Sequence, residues 1–334
     1  MKYKIFVGID VSKEKLDLCV IEQASPDVYH HFEIANNQQA IKRIKTDLTK
    51  KFGKWNEAWL FCLEHTGVYA LPMCNFLSEA GMNYALVPAL QIQKSIGIRR
   101  GKTDKADCKD IARYAMLFAP EIKTYQMPEK VLHQLQVLLG QRERLIKCRV
   151  ILKTASKENR AFLDKQMVKT TIIQSEQVIK NLNKEIEKVD AQMKDLIAKD
   201  EKAICVYKLI NSVPGVGPQT AYHLMIATRC FSTFDNARQL ASYCGVAPFE
   251  YSSGKSIKGK TKVSPFANKK IKSLLSMCAL NAKDADPQLK KYYERKIVEG
   301  KNPMSVLNAI KNKLLQRVFA TVQRGTPYVK LQPC

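Results

Sequence analysis

The stretch from Tyr3 to Ala89 constrains the fold most, because its hydrophobic period changes in a set order. "KIFVGID", "LDLCVIE" and "VYHHFEIA" are short runs rich in β-branched and aromatic residues, the first two separated by the polar turn "VSKEK". They predict a three-stranded meander ending near Asn36. "NNQQAIKRIKTDLTKKF" then reads as a helix with Asn36 or Asn37 as its N-cap. "AWLFCLE" returns to strand, "VYALPMCNFLSEAG" to a helix ending at Gly81, and "NYALVPA" to strand. Strands joined first by hairpins and then alternating with helices predict a mixed α/β sheet.

Carboxylates stand at the edges of these elements. Glu64 closes the apolar run "AWLFCL" and is followed at once by His65, Thr66 and Gly67. It falls at the C-terminal edge of a strand, where α/β proteins collect their chemistry. Asp10 lies where the first strand enters its turn. Asp104 and Asp107, three apart in "IRRGKTDKADCKDIARYAMLF", share a helical face. Singly, each has an ordinary reading as a turn residue or a solvated acid. As a set in one cleft, they would repel one another unless divalent cations lay between them. Two Mg²⁺ ions about 3.5 to 4 Å apart can clamp the attacking and leaving oxygens of a phosphoryl transfer. Beside them, Arg99, Arg100, Lys102 and Lys105 form either a phosphate grip or a solvated charge run.

Charge narrows the partner. Fifty-five Lys plus Arg against 31 Asp plus Glu leave a net charge of +24 and a pI near 9.6, which points to a polyanion, nucleic acid first. The basic residues run through the whole chain, so a broad binding face is expected. A non-catalytic nucleic-acid packaging protein would also carry such a charge. The ten cysteines contain no CxxC pair and sit mostly in apolar segments, as reduced core thiols would. With no signal-peptide pattern in "MKYKIFVGID" and no apolar run long enough to span a bilayer, a cytoplasmic protein with no membrane partner and no zinc site is expected.

From Val131 to about Asp200 the chain is nearly free of Gly and Pro and predicts long helices. Ile179, Leu182, Ile186, Val189, Met193 and Leu196 form an a/d seam, either an intramolecular helical hairpin or a dimer coiled coil. "NSVPGVGPQTA" opens the last domain. Its Pro-Gly-Val-Gly-Pro turn either joins ordinary helices or exposes backbone N–H groups to phosphate, as in helix-hairpin-helix DNA binders. Further on, "YSSGK" sets a Ser-Ser-Gly turn among Lys255, Lys258, Lys260, Lys262, Lys269 and Lys270, beside Tyr251. A serine becomes a nucleophile only when activated and when positive charge stabilises the leaving phosphate. Physical reasoning alone separates neither a plain turn from a reactive one nor Ser252 from Ser253.

"GIDVSK", "EHTGVY" and "KTDKADCKDIARYA" resemble, in order and spacing, the motifs of the DEDD transposases of bacterial insertion sequences. The first domain of that family resembles the RuvC Holliday-junction resolvase. The resemblance implies an α/β ribonuclease H-like (RuvC-like) N-terminal domain over residues 1–125, a helical coiled-coil middle over 126–203 and a mostly α C-terminal domain over 204–334. It implies that Asp10, Glu64, Asp104 and Asp107 form a catalytic quartet holding Mg²⁺, two ions being expected. Asp17 and Asp110 stay outside it as solvated or structural acids. Val213 to Pro327 resembles the family's second domain, in which a "P…SG" element supplies a nucleophilic serine; here that is Ser253, with Ser252 as the fallback. "VSPFANKK" departs from the pattern, with Ser264, Pro265 and Phe266 standing where many relatives have a basic residue and a glycine.

The implied function is recombination of a mobile element through a covalent phosphoserine. The implied partners are donor and target DNA, a structured non-coding bridge RNA and further copies of the chain as a dimer or tetramer. Serine and quartet lie in different domains, so a composite site across protomers is expected. The alternative is a Mg²⁺-dependent nuclease of the Holliday-junction type, with water as nucleophile.

Overall fold

The computed structural model describes residues 2–97, 103–253 and 257–329, leaving aside the side chains of residues 96, 251–253, 257, 258, 260 and 262. The chain forms two compact units, Met1–Met127 and Pro128–Cys334.

The first unit runs β1 (Ile5–Val11), β2 (Lys15–Glu22), β3 (Ser25–Ala35), α1 (Gln38–Phe52), β4 (Trp59–Glu64), a 3₁₀ turn (Gly67–Ala70), α2 (Leu71–Glu79), β5 (Asn83–Val87), α3 (Ala89–Ile96) and α4 (Asp104–Leu117). The sheet order is β3-β2-β1-β4-β5. β2 is antiparallel to β1 and β3, whereas β1–β4 and β4–β5 are parallel. An antiparallel meander extended by two parallel crossover strands is the mixed sheet that the pattern predicts and the ribonuclease H-like arrangement that the family resemblance implies. Asn37 is the α1 N-cap, its Oδ1 accepting from the Ala40 N–H at 2.9 Å. Helix α3 occupies the stretch between the last strand and the basic segment, for which the sequence reading named no element.

Alternation divides the sheet into two faces. Val7, Ile9, Leu16, Leu18, Phe61 and Leu63 belong to one core with residues of α1 and α2. Phe6, Leu60 and Cys62 pack with α4 on the other face, as do Cys19 and Ile21 farther along. Gly8 lies on that second face. A Cβ there would stand 2.2 Å from the Ala112 nitrogen and 2.3 Å from the Cys108 carbonyl oxygen, so α4 rests its backbone on β1.

The second unit comprises α5 (Lys130–Phe162), α6 (Lys165–Ala198), α7 (Glu201–Asn211), α8 (Pro218–Thr228), α9 (Ala237–Tyr243), the hairpin β6 (Pro248–Ser253) and β7 (Ile257–Val263), α10 (Lys269–Ala285), α11 (Pro287–Val298) and α12 (Pro303–Arg324). Helices α5 and α6 form an antiparallel hairpin within the chain. Arg142 binds Asp190 at 2.8 Å, Arg149 binds Asn183 at 2.9 Å and Arg160 binds Glu176, so positions advancing on α5 meet positions receding on α6. Of the two readings of the seam, the intramolecular one is observed.

Ile186, Val189 and Met193 are buried as the pattern predicts, but at the end of the seam Ile197 takes the buried place and Leu196 is half-exposed. A straight helix drifts against a 3.5-residue repeat in this way. The base of the hairpin, including Val131, Leu135 and Met193, shares one core with Leu224, Leu275 and Leu314, so packing is continuous across residue 203.

The described cysteines are free, and only Cys148 and Cys205 are exposed. Burial pushes the Cys62 thiol up to about 12, which fits an inert core residue. Among the described residues no helix is long and apolar enough to cross a membrane.

Candidate active site

The last registered pair between the parallel strands β1 and β4 is Ile9 with Leu63, and the next residues are Asp10 and Glu64. Both follow the alternation of Gly8 and Cys62, which assigns them to the face covered by α4. Neighbouring strands are about 4.8 Å apart, so two carboxylates emerge side by side at this sheet edge.

Helix α4 brings the others. Its N-cap Thr103 accepts from the Ala106 N–H at 3.2 Å, and Asp104 and Asp107 occupy the first turn, where the helix dipole favours acids. The contact at Gly8 holds that turn over the ends of β1 and β4. The effect is visible on Asp10, whose carboxyl is pushed up to about 6. Burial contributes most, followed by the charges of Glu64, Asp107 and Asp104, while a hydrogen bond from the Val11 N–H opposes them. Glu64, Asp104 and Asp107, the other acids named from the sequence, are gathered closely enough to act on the ionisation of Asp10.

They are not arranged as a closed metal cage. Among the described residues no three His, Cys, Asp or Glu side chains are grouped tightly enough to ligate one ion. Asp104 Oδ2 lies instead 2.8 Å from Lys15 Nζ, which also reaches Asp17 and Glu33, each at 3.2 Å. Those hydrogen bonds, the one to Asp104 foremost, raise the Lys15 pKa. Asp17 is 3 % exposed and receives a second contact, from His31 Nε2 at 2.8 Å. It is therefore structural and not a solvated acid. An ammonium against Asp104, with three more carboxylates nearby, means that the cluster attracts cations. Its donors are all hard oxygens, which suits Mg²⁺ or Mn²⁺.

Sequence reasoning overlooked Lys15 and His31. Their signal was the polar residues recurring at every second position on the α4 side of otherwise apolar strands: Lys15 and Asp17 on β2, His31 and Glu33 on β3.

After Glu64 the His65 N–H donates to Val87 O at 3.1 Å, and Gly67 adopts φ +68°, a turn that favours glycine. Arg99, Arg100 and Lys102 lie outside the described residues; Lys105 is exposed in the first turn of α4.

In the second unit Ser252 and Ser253 end β6, their backbones in register with Lys258 and Ile257. The residues read as a turn are thus the last of a strand, with a bulge between Phe249 and Tyr251. Gly254 and Lys255 lie outside the described residues, as do the side chains of Ser252, Ser253 and the hairpin lysines. In the departing segment, Ser264 Oγ accepts from the Phe266 N–H at 3.1 Å and Asn268 caps α10. In the Pro-Gly-Val-Gly-Pro turn, Gly215 has φ +84° and a Cβ there would meet Ala282 Cα at 2.7 Å, so this glycine lets the turn pack on α10.

Two family models match the chain, one for a DEDD transposase over residues 7–167 and one for the transposases of the IS116/IS110/IS902 family over residues 207–294. Pilin gene-inverting proteins of Moraxella lacunata and Moraxella bovis are each 28 % identical over 336 residues, covering 98 % of this chain and 98 % of theirs. A 43.6 kDa protein of insertion element IS110 from Streptomyces coelicolor is 33 % identical over 125 residues, 37 % of this chain and 31 % of that protein. Among solved structures, RuvC from Thermus thermophilus in complex with a Holliday-junction substrate is similar over 37 % of this chain and 100 % of its own, at 14 % identity and a TM-score of 0.29.

Proposed function

The chain belongs to the DEDD transposases of the IS110/IS116/IS902 family, and from that membership we propose that it is a recombinase cutting and rejoining DNA through a covalent phosphoserine. The observation that carries the reading is the crowding of Glu64, Asp107 and Asp104 on Asp10 at one sheet edge. Such crowding serves little structural purpose but prepares a site for divalent cations and phosphate. Similarity along nearly the whole chain to proteins named for inverting a gene favours strand exchange over simple cleavage.

In this reading Ser253 supplies the nucleophile. Its oxygen bonds to phosphorus, a deoxyribose oxygen leaves with a proton, and the link is later reversed by a hydroxyl of another strand, so phosphodiester energy is kept. Asp10, Glu64, Asp104 and Asp107 would hold divalent cations, which supply Lewis-acid stabilisation of phosphate charge when bound. Lys15 occupies the Asp104 carboxylate until a cation displaces it, and Asp17 and Glu33 hold the ammonium close by. A structured RNA that pairs with donor and target would leave the protein mainly phosphate backbone to hold. The net charge of +24, most of it carried by the second unit, suits that task.

The second reading, a nuclease using water, keeps the same acid cluster. Denaturing electrophoresis of the protein with labelled DNA separates them. An adduct present in the parent and missing in Ser253→Ala supports the recombinase; efficient cleavage by Ser253→Ala with no adduct at any time rejects it.

A further inference from the structure

Lys311 on α12 is 6 % exposed, and its ammonium has no carboxylate against it among the described residues. Unpaired lysines are seldom buried, since removing an ammonium from water without a counter-charge is costly. The side chain lines a cleft of about 810 Å³ walled on one side by Pro248 and Val263, which pair across the base of the β6–β7 hairpin. The other polar groups lining it are neutral or cationic, Thr261, Ser305, Asn308, Asn312, Gln316 and Lys313, and the rest of the described lining is apolar. Asn308 is fixed in place, its Nδ2 donating to Val246 O at 3.0 Å. Burial, and then the neighbouring half-buried Lys272, both press the Lys311 pKa below the ordinary lysine range. Two cations and several hydrogen-bonding side chains around a cleft with no acid among its described lining residues make a socket for an anion.

The cleft continues beyond itself. Lys313 also lines a second groove, of about 610 Å³, together with Lys291, Arg295 and Tyr292. Lys313 Nζ lies 4.8 Å from the Tyr292 ring centroid, and the Arg295 guanidinium 5.8 Å from it. A phosphate socket followed by a cation-flanked aromatic ring matches a nucleic-acid strand better than an isolated ion. Ser253 sits five residues along β6 from Pro248, roughly 17 Å of strand, so the cleft is separate from the serine.

We propose that the α12 cleft around Lys311 is a nucleic-acid anchor, Lys311 receiving a backbone phosphodiester while Tyr292 and Lys313 guide the same strand onward. The choice of a nucleic acid as occupant rests on the recombinase reading, but the test measures binding without turnover and can fail independently of it. Anisotropy of labelled duplex DNA and labelled structured RNA is followed over a salt series with full-length parent, Lys311→Met and Gln316→Glu. Lys311→Met is expected to bind about tenfold more weakly, with a salt slope reduced by about 0.9 on duplex. Its thermal midpoint should stay level or rise, because a buried unpaired charge has gone. Gln316 is exposed, so Gln316→Glu places a carboxylate in the cleft with little risk to folding, and it should weaken binding too. Losses with DNA alone, RNA alone or both each support the anchor and identify its strand. Parent-like affinity and slope with both nucleic acids, in either folded variant, overturn it.

Discussion

Gly8 and Ala112 meet backbone to backbone: a methyl group on the glycine would stand 2.2 Å from the alanine nitrogen. That contact allows α4 to lie flat on β1 and bring Asp104 and Asp107 over Asp10. Gly8→Ala should force the helix away, destabilising the first unit by about 3 kcal/mol and abolishing strand exchange. Denaturant unfolding together with a recombination assay checks both effects. Parent-like values in both would mean that α4 has room to move.

The raised pKa of Asp10 sets a direction for stability against pH. Its folded value is about 6 and its ordinary value 3.8, so between them the folded state holds the extra proton. Stability of the metal-free protein should therefore fall as pH rises through this window. Asp10→Asn removes the repulsion, and because the residue is only half-buried the gain at neutral pH should be about 1 kcal/mol. Melting curves of parent and variant should converge near pH 4 and separate by pH 7. Added Mg²⁺ or Mn²⁺ should raise the melting temperature of the parent and leave that of the variant unchanged.

Lys15 holds Asp104 at 2.8 Å, in the place a cation would take. Lys15→Met should tighten Mn²⁺ binding roughly tenfold by calorimetry, since the metal no longer competes with an ammonium. Asp17 keeps its His31 contact, so the variant should still fold. Weaker Mn²⁺ binding would show instead that Lys15 orients Asp104 as a ligand.

His223 titrates in a cationic neighbourhood. Burial lowers its pKa below 6.5, with Lys270 and Arg142 acting the same way and Glu143, 3.5 Å distant, opposing. A histidine depressed in the folded state costs stability as pH drops below its unfolded value, because the unfolded chain then binds more protons. His223→Gln should flatten the acid limb of the stability profile below about pH 6.5. Superimposable acid limbs would place the proton uptake elsewhere.

Much of this organisation was legible because it is local. The meander, the Asn37 cap and the position of Asp104 beside Asp107 follow from side-chain period and turn chemistry within a few residues. The Lys15–Asp104 pair joins residues from different elements, and it forms only once β2 and α4 are stacked. The hydrophobic seam of α6 fitted a hairpin and a dimer equally, since an apolar stripe states what must be covered and not by which chain. Ile197 replaced Leu196 because the helix rotates gradually against the seam, an effect that a strict repeat conceals.

By itself, the sequence determined which carboxylates stand at strand and helix ends, that a nucleic acid is the expected partner, and which family motifs are present. Alternation, capping and charge are read along the chain. Tertiary structure decided that Asp10 and Glu64 turn to the α4 face, that Asp17 is buried, and that Lys311 lines a cleft with no acid among its described lining residues. Burial and field depend on what packs from distant parts of the chain, so a side chain's ionisation belongs to the fold and not to its neighbours in sequence.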